Sequence, residues 1–107
     1  MDQQETVATI GDALTQLDTQ LMSGDPPSQS AQWQQLFAQR KHLDDQQRQL
    51  VQQQVSADDA EFKAAADMIA LTAKQLQQEV DAENQVDAII KTVSQISASV
   101  DQILKLA

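Results

Sequence analysis

Residues 81–103 have the sequence DAENQVDAIIKTVSQISASVDQI, and this stretch decides how the chain folds. From residue 86 onward, Val and Ile recur every three or four positions, which is the spacing of one face of an α-helix. This Val/Ile face consists of Val86, Ile89, Val93, Ile96, Val100 and Ile103. A face this apolar has to be buried, either by the rest of the chain or by another chain.

A second apolar series precedes the Val/Ile face and lies in a different helical register. It consists of Phe62, Ala66, Ile69, Ala73, Leu76 and Val80. If that series continued in phase, Glu83 and Asp87 would enter the apolar face, so the phase must slip within the DAENQ segment. Either one helix over about residues 57–106 bends or changes packing partners there, or the helix breaks and Asn84 caps a fourth helix. We favour the single helix because this half of the chain contains neither Gly nor Pro.

The first half of the chain predicts two helices joined by a turn. Helix 1 is expected over about residues 3–22 and the turn over residues 23–28, because SGDPPS holds both prolines and one of the two glycines. Asp25 or Ser28 can cap the helix that follows. The apolar stripe of helix 1 consists of Val7, Ile10, Leu14, Leu17 and Leu21.

Helix 2 is expected over about residues 29–55, with an interrupted apolar stripe. The stripe consists of Trp33, Leu36, Phe37, Leu43, Leu50, Val51 and Val55. Because Arg40 and Gln47 occupy positions within it, we expect helix 2 to be the most solvated helix of the bundle. Ser56 and Asp59 approximate a capping box, which predicts that helix 3 starts near residue 57.

Length and composition favour a single all-α domain. The chain has 107 residues with 21 Gln, 15 Ala and no Cys, so helix formers are abundant and a disulfide or thiolate site is excluded. The expected architecture is an antiparallel bundle of three helices, the last one long and able to bend. The alternative is a four-helix bundle with a break near Asn84.

The favoured architecture requires a partner. A helix of 50 residues would be about 75 Å long, whereas helices 1 and 2 would span only about 30 and 40 Å. Leaving six Val and Ile side chains in water would forfeit on the order of 10 kcal/mol. We therefore expect the six residues of the Val/Ile face to bind a protein helix in coiled-coil fashion, from a second copy in a homo-oligomer or from another protein in a hetero-complex.

Charge argues against several kinds of site. The chain carries 16 acidic and 7 basic side chains, a net charge of −9, so it is not expected to bind nucleic acid. His42 is the only histidine, and with Asp45 it cannot complete a metal or catalytic set, so we expect no enzyme activity, no metal site and no cofactor. Arg40, Lys41 and Arg48 are expected to pair with Asp12 and Asp18 of helix 1.

Three acidic residues are spaced four apart on the predicted long helix, namely Glu79, Glu83 and Asp87. Such a row repels itself and can attract a basic partner, so it forms a candidate acidic contact strip. A solvated helix face explains the same spacing, and we favour that explanation.

The amino terminus lacks a basic segment followed by an apolar run, and no apolar stretch is long enough to span a membrane. A cytoplasmic protein is expected, although export without a cleaved signal fits the same sequence. The expected function is a non-catalytic acidic interaction module, such as an adaptor, an assembly factor or a chaperone-like protein. The alternative is a small acidic inhibitor, such as an immunity protein or antitoxin, that covers a basic site on its partner.

Overall fold

The computed structural model describes residues 2–82 and 84–106, and within these ranges it contains four α-helices and no strand. The helices are α1 (Gln3–Met22), α2 (Ala31–Gln52), α3 (Ala60–Asp81) and α4 (Val86–Leu104). The all-α prediction is therefore confirmed, and helix 1 has the predicted bounds.

The single helix predicted over residues 57–106 is not present, because α3 ends at Asp81 and α4 begins at Val86. The structure instead has the alternative architecture, a four-helix bundle with a break next to Asn84. The physical reason is burial: the break folds the Val/Ile face back onto the other helices. Asn84 does not cap α4, since the N-cap is Gln85 and makes no side-chain cap bond. Asn84 instead has a φ of 61°, in the left-handed region that Asn tolerates better than most residues.

Helix α2 is shorter at both ends than the sequence predicts. Its N-cap is Ser30, whose side chain accepts a hydrogen bond from the Trp33 backbone N–H at 3.1 Å, so neither Asp25 nor Ser28 has this role. Before it, Gly24 has a φ of 86° just after the end of α1, which is the usual place of glycine after a helix.

Helix α3 begins three residues later than predicted, because Asp59 and not Ser56 caps it. One carboxylate oxygen of Asp59 accepts hydrogen bonds from the backbone N–H groups of Glu61 (2.8 Å) and Phe62 (3.0 Å). A single side chain thus satisfies two backbone donors that the first turn leaves unpaired.

The four helices form a bundle measuring 42 × 22 × 17 Å. Among the described residues, α1 contacts α2 and α3, and α4 also contacts α2 and α3, so α1 lies diagonally opposite α4. Helices α1 and α2 are antiparallel, since the Gln3 side chain at the start of α1 bonds to the Leu50 carbonyl near the end of α2. The α1–α2 side and the α3–α4 side are consequently opposite faces of the molecule.

The core is built from all four apolar stripes. Its members are Ile10, Ala13, Leu14, Leu17, Leu36, Leu43, Leu50, Phe62, Ala65, Ala66, Ile69, Leu76, Ile89, Val93, Ile96, Val100 and Ile103.

Helix α2 contributes the fewest apolar side chains to the core, in line with its interrupted stripe, and it meets α4 through polar groups. Gln46 is 2% exposed. Its amide donates to the Ser97 carbonyl at 3.1 Å and accepts from the Ser97 hydroxyl at 2.8 Å. About two turns before Gln46, the side-chain amide of Gln39 donates to the Ser94 hydroxyl at 2.9 Å. The α2–α4 contact is thus held by paired glutamine and serine side chains, whose partners satisfy most of their buried polar atoms.

We predict that Ile96→Ala lowers the free energy of unfolding of the isolated monomer by about 2–5 kcal/mol, because a fully buried side chain is replaced by a cavity. Urea unfolding followed by circular dichroism measures this. Leu71→Ala is the control: Leu71 is 62% exposed, and its loss should change stability by less than about 0.5 kcal/mol. If the alanine variant does not fold, Ile96→Val should still cost about 0.5–1.5 kcal/mol.

The opposite result would be an Ile96→Ala monomer as stable as the parent protein. It would mean that Ile96 packs against another chain and not within its own bundle.

Candidate interaction surface

The Val/Ile face predicted to bind a partner lies inside the bundle. Val86 is 7% exposed, and the other five members are fully buried. They are Ile89, Val93, Ile96, Val100 and Ile103. Because α4 packs these side chains into the core against its neighbours α2 and α3, a partner cannot contact them in the folded monomer. Any interaction surface has to be sought on the outside.

The predicted acidic contact strip is divided by the helix break. Glu79 is half-buried and accepts a 2.6 Å hydrogen bond from the Thr92 hydroxyl of α4. Asp87 accepts a 2.8 Å hydrogen bond from the Gln32 amide of α2. Glu83 lies outside the described residues. A spacing of four residues forms one row only on a continuous helix, so Glu79 and Asp87 serve different interhelical contacts.

Within residues 2–82 and 84–106, five large apolar side chains remain exposed, and they lie on two opposite faces. Those on the side of α1 and α2 are Met22 (85% exposed), Phe37 (47%) and Val51 (62%). Those on α3 are Met68 (47%) and Leu71 (62%). We call the first group, with the helix surface between its members, the α1–α2 face.

The sequence pattern placed Phe37 and Val51 in the apolar stripe of helix 2, but the structure turns both outward. In an α-helix, the inward positions of α2 follow Leu36, Leu43 and Leu50 at intervals of seven. Phe37 and Val51 each follow one of these leucines, so their side chains project about 100° away from the core. Apolar spacing alone does not show which of two adjacent residues is exposed, since Ile90, next to the buried Ile89, still packs against the core.

Trp33 and Phe37 form a stacked aromatic pair at one end of the α1–α2 face. Their ring centroids are 5.2 Å apart and their planes differ by 10°. The Trp33 indole N–H donates to the Leu21 carbonyl at 2.9 Å, which ties the ring to the end of α1. Trp33 is therefore half-buried and held in place, while Phe37 covers it and presents its outer side to solvent.

Met22 lies at the same level of the bundle as this aromatic pair. Asp18 of α1 bonds to Arg40 of α2, which fixes the register of the two antiparallel helices. Met22 lies one turn after Asp18 on α1, and Phe37 lies about one turn before Arg40 on α2. We call Met22, Trp33 and Phe37 the aromatic patch.

The cations of helix α2 are largely neutralised by pairing. Arg40 binds both carboxylate oxygens of Asp18, at 2.9 and 3.2 Å, which confirms one predicted contact. Arg48 pairs with Asp44 of its own helix at 3.2 Å, not with α1. Among the described residues, Asp12 takes part in no ion pair, so the predicted contact to Asp12 is wrong. The α1–α2 face consequently has a charge-paired middle between apolar ends.

His42 belongs to a different groove, between α2 and α4. It is exposed and lines a groove of about 420 Å³ together with Gln39, Val93 and Ser97. Within residues 2–82 and 84–106, no three His, Asp or Glu side chains gather in a way that could hold a metal ion. None of the described helices combines the length and apolar character needed to cross a membrane.

No protein-family model, curated protein or solved structure matches this chain. The geometry defines a small helical bundle whose α1–α2 face has exposed apolar side chains at its two ends.

We predict that Phe37→Ala shifts the fluorescence emission of Trp33 to longer wavelength, because the ring that covers the indole is removed. The same change should lower the free energy of unfolding by about 1 kcal/mol, the usual worth of a stacked pair. Steady-state emission and urea unfolding measure the two effects.

Met68→Ala is the matched control, since Met68 and Phe37 are equally exposed and lie on opposite faces. It should leave the emission unchanged. An emission shift of the same size in both variants would contradict the assigned contact between Trp33 and Phe37.

Proposed function

We propose that this protein is a non-catalytic acidic interaction module that binds another protein through its α1–α2 face. The observation that carries the proposal is that Met22, Phe37 and Val51 are exposed on one face of the bundle. An adaptor, an assembly factor or a chaperone-like protein would use such a surface.

The composition of this face supports the proposal. Aromatic and methionine side chains are enriched at protein interfaces, and the residues that dominate binding energy are often Trp, Tyr or Arg. The aromatic patch supplies a ring that is already held in place by the bond from Trp33 to the Leu21 carbonyl. A surface ordered before binding loses less entropy when the partner arrives.

The second candidate function is a small acidic inhibitor that covers a basic site. Its support is the net charge of −9 and the absence of Lys and Arg from residues 1–39. A charge of this size accelerates encounter with a cationic partner. For either function we propose the cytoplasmic location expected from the sequence, and cell fractionation tests it.

We predict that a photo-crosslinking amino acid at position 37 traps a partner protein in the native cell, because Phe37 is the exposed ring of the aromatic patch. The same amino acid at position 68 is the control, since Met68 is equally exposed on the opposite face. Mass spectrometry of the cross-linked species identifies the partner. Equal products at both positions, or none at position 37, would contradict the proposal.

The salt dependence of partner binding distinguishes the two candidate functions. An inhibitor recognised mainly by charge should lose affinity by orders of magnitude as salt rises from low to physiological levels. An adaptor held by the apolar ends of the α1–α2 face should respond weakly.

A further inference from the structure

We infer that a second copy of this chain binds to the side of the bundle opposite the α1–α2 face, with the two α3 helices antiparallel. This side is formed by α3 and α4, and we call it the α3–α4 face. Its α3 half consists of the exposed residues Ala64, Met68, Leu71 and Gln75. The proposed function does not use this surface, so the dimer is independent of it.

The α3–α4 face contains an uncharged groove. The groove has a volume of about 470 Å³ and is lined by Ala64, Met68, Gln95, Ala98, Ser99 and Gln102. Leu71, which is 62% exposed, and Gln75 continue the α3 side of this surface. None of these side chains carries a charge. Two chains that each carry −9 can therefore meet here without bringing like charges into contact.

The exposed stripe of α3 is complementary to itself. Its four residues follow one another at intervals of four, three and four, which is the spacing of a coiled-coil seam. A two-fold axis passing between residues 69 and 70 sets Met68 of one copy level with Leu71 of the other, and Ala64 level with Gln75. The two large apolar side chains of each copy thus meet those of the other copy and leave water together.

Opposite charges flank this stripe and can pair between two copies. Asp67 and Lys74 lie about 100° around the helix from Met68 and Gln75, on the edge away from α4. Both are exposed, and neither takes part in an ion pair within residues 2–82 and 84–106. Seven residues separate them, about 10 Å along one helix, which is too far for a pair within the chain.

The two-fold axis places this charged edge of both α3 helices side by side. Asp67 of one copy then lies within about 3 Å of the level of Lys74 of the other copy, which a lysine side chain can span. The symmetry repeats the contact, so the dimer gains two ion pairs that the single chain does not have. This charge complementarity is the reason for assigning the face to a second copy.

The face is large enough for a dimer. The bundle is 42 Å long and 17–22 Å wide, so one side has a projected area of about 700–900 Å², close to the roughly 800 Å² that each partner buries in a standard interface. Because much of this area is polar, we expect a dimer that forms and dissociates with concentration and not a permanent one.

Such a dimer keeps both α1–α2 faces free and turns them away from each other, since they lie opposite the contact. Together with the proposed function, this makes the protein a bivalent module. A repeated or oligomeric partner would then be bound more tightly than a single binding site allows.

Sedimentation equilibrium tests the dimer. Over about 10–500 µM protein, the molecular mass should rise from 11.8 kDa toward twice that value. Leu71→Glu should weaken self-association at least about tenfold, whereas Val51→Glu should leave it within about twofold. Val51 is the matched control because Val51 and Leu71 are each 62% exposed and lie on opposite faces. Circular dichroism verifies that each variant is folded.

Charge exchange tests the antiparallel register. Asp67→Lys and Lys74→Asp should each weaken self-association at least about fivefold, because either change brings like charges together twice. An equimolar mixture of the two variants should form a heterodimer with an affinity within about threefold of the parent dimer, since opposite charges then meet again. Asp67→Lys also reduces the negative net charge, so a general charge effect would strengthen its association instead.

Several results would overturn the inference. A monomer at every concentration would remove the dimer, and a dimer that Val51→Glu dissociates would place the contact on the α1–α2 face. A mixture of the two charge variants that associates no better than either alone would exclude the antiparallel α3 pair.

Cross-linking separates this inference from the proposed function. A photo-crosslinking amino acid at position 68 should trap a second copy of this chain, whereas position 37 should trap a different protein. Failure at position 37 alone contradicts the proposed function and leaves the dimer. A different protein trapped at position 68, with no dimer in sedimentation, contradicts the dimer and leaves the proposed function.

Discussion

The burial of the Val/Ile face of α4 is the constraint on which the rest of the structure depends. Six branched side chains left in water would forfeit on the order of 10 kcal/mol, which is comparable to the net stability of a whole domain. The chain meets this constraint by ending α3 at Asp81 and starting α4 at Val86. The resulting α3–α4 hairpin packs against the α1–α2 hairpin, and four partial stripes become one core.

With the core closed, the side chains outside it either join neighbouring helices or face solvent. The α2–α4 contact includes the paired polar groups of Gln46 and Ser97, and the α1–α2 contact includes the Arg40–Asp18 ion pair. Of the side chains left outside this arrangement, Phe37 covers Trp33 with one side of its ring and leaves the other side in solvent. The exposure of Met22, Phe37 and Val51 is the physical basis for proposing an interaction surface on the α1–α2 face.

Much of the fold could be predicted from the sequence because its signals are local. Helix α1 and the turn after it follow from apolar spacing and from the prolines, and the phase slip located the position where α3 and α4 separate. The choice between bending and breaking depended on packing among all four helices, which no local pattern contains. Asn84 illustrates the difficulty. The sequence suggests that its side chain caps α4, whereas in the structure Asn84 forms part of the turn with a left-handed backbone conformation.

The candidate site was harder to predict than the fold. The sequence identified the most apolar surface, but in the bundle that surface is the core. The apolar spacing of helix 2 predicts both Leu36 and Phe37 in one stripe, and only the direction of α2 relative to α1 and α4 separates the two. Exposure, on which the proposed interaction surface rests, is a property of the folded chain.

The most direct test of the central claim is a distance measured between α3 and α4 within one chain. The native sequence has no cysteine, so Ala64→Cys and Gln102→Cys accept one spin-label pair, and dilution with unlabelled protein restricts the measurement to single chains. Ala64 and Gln102 line one groove, and neighbouring helix axes lie about 8–10 Å apart, so electron spin resonance should give a label separation well under about 30 Å. A separation near about 57 Å, as one continuous helix requires, would contradict the account.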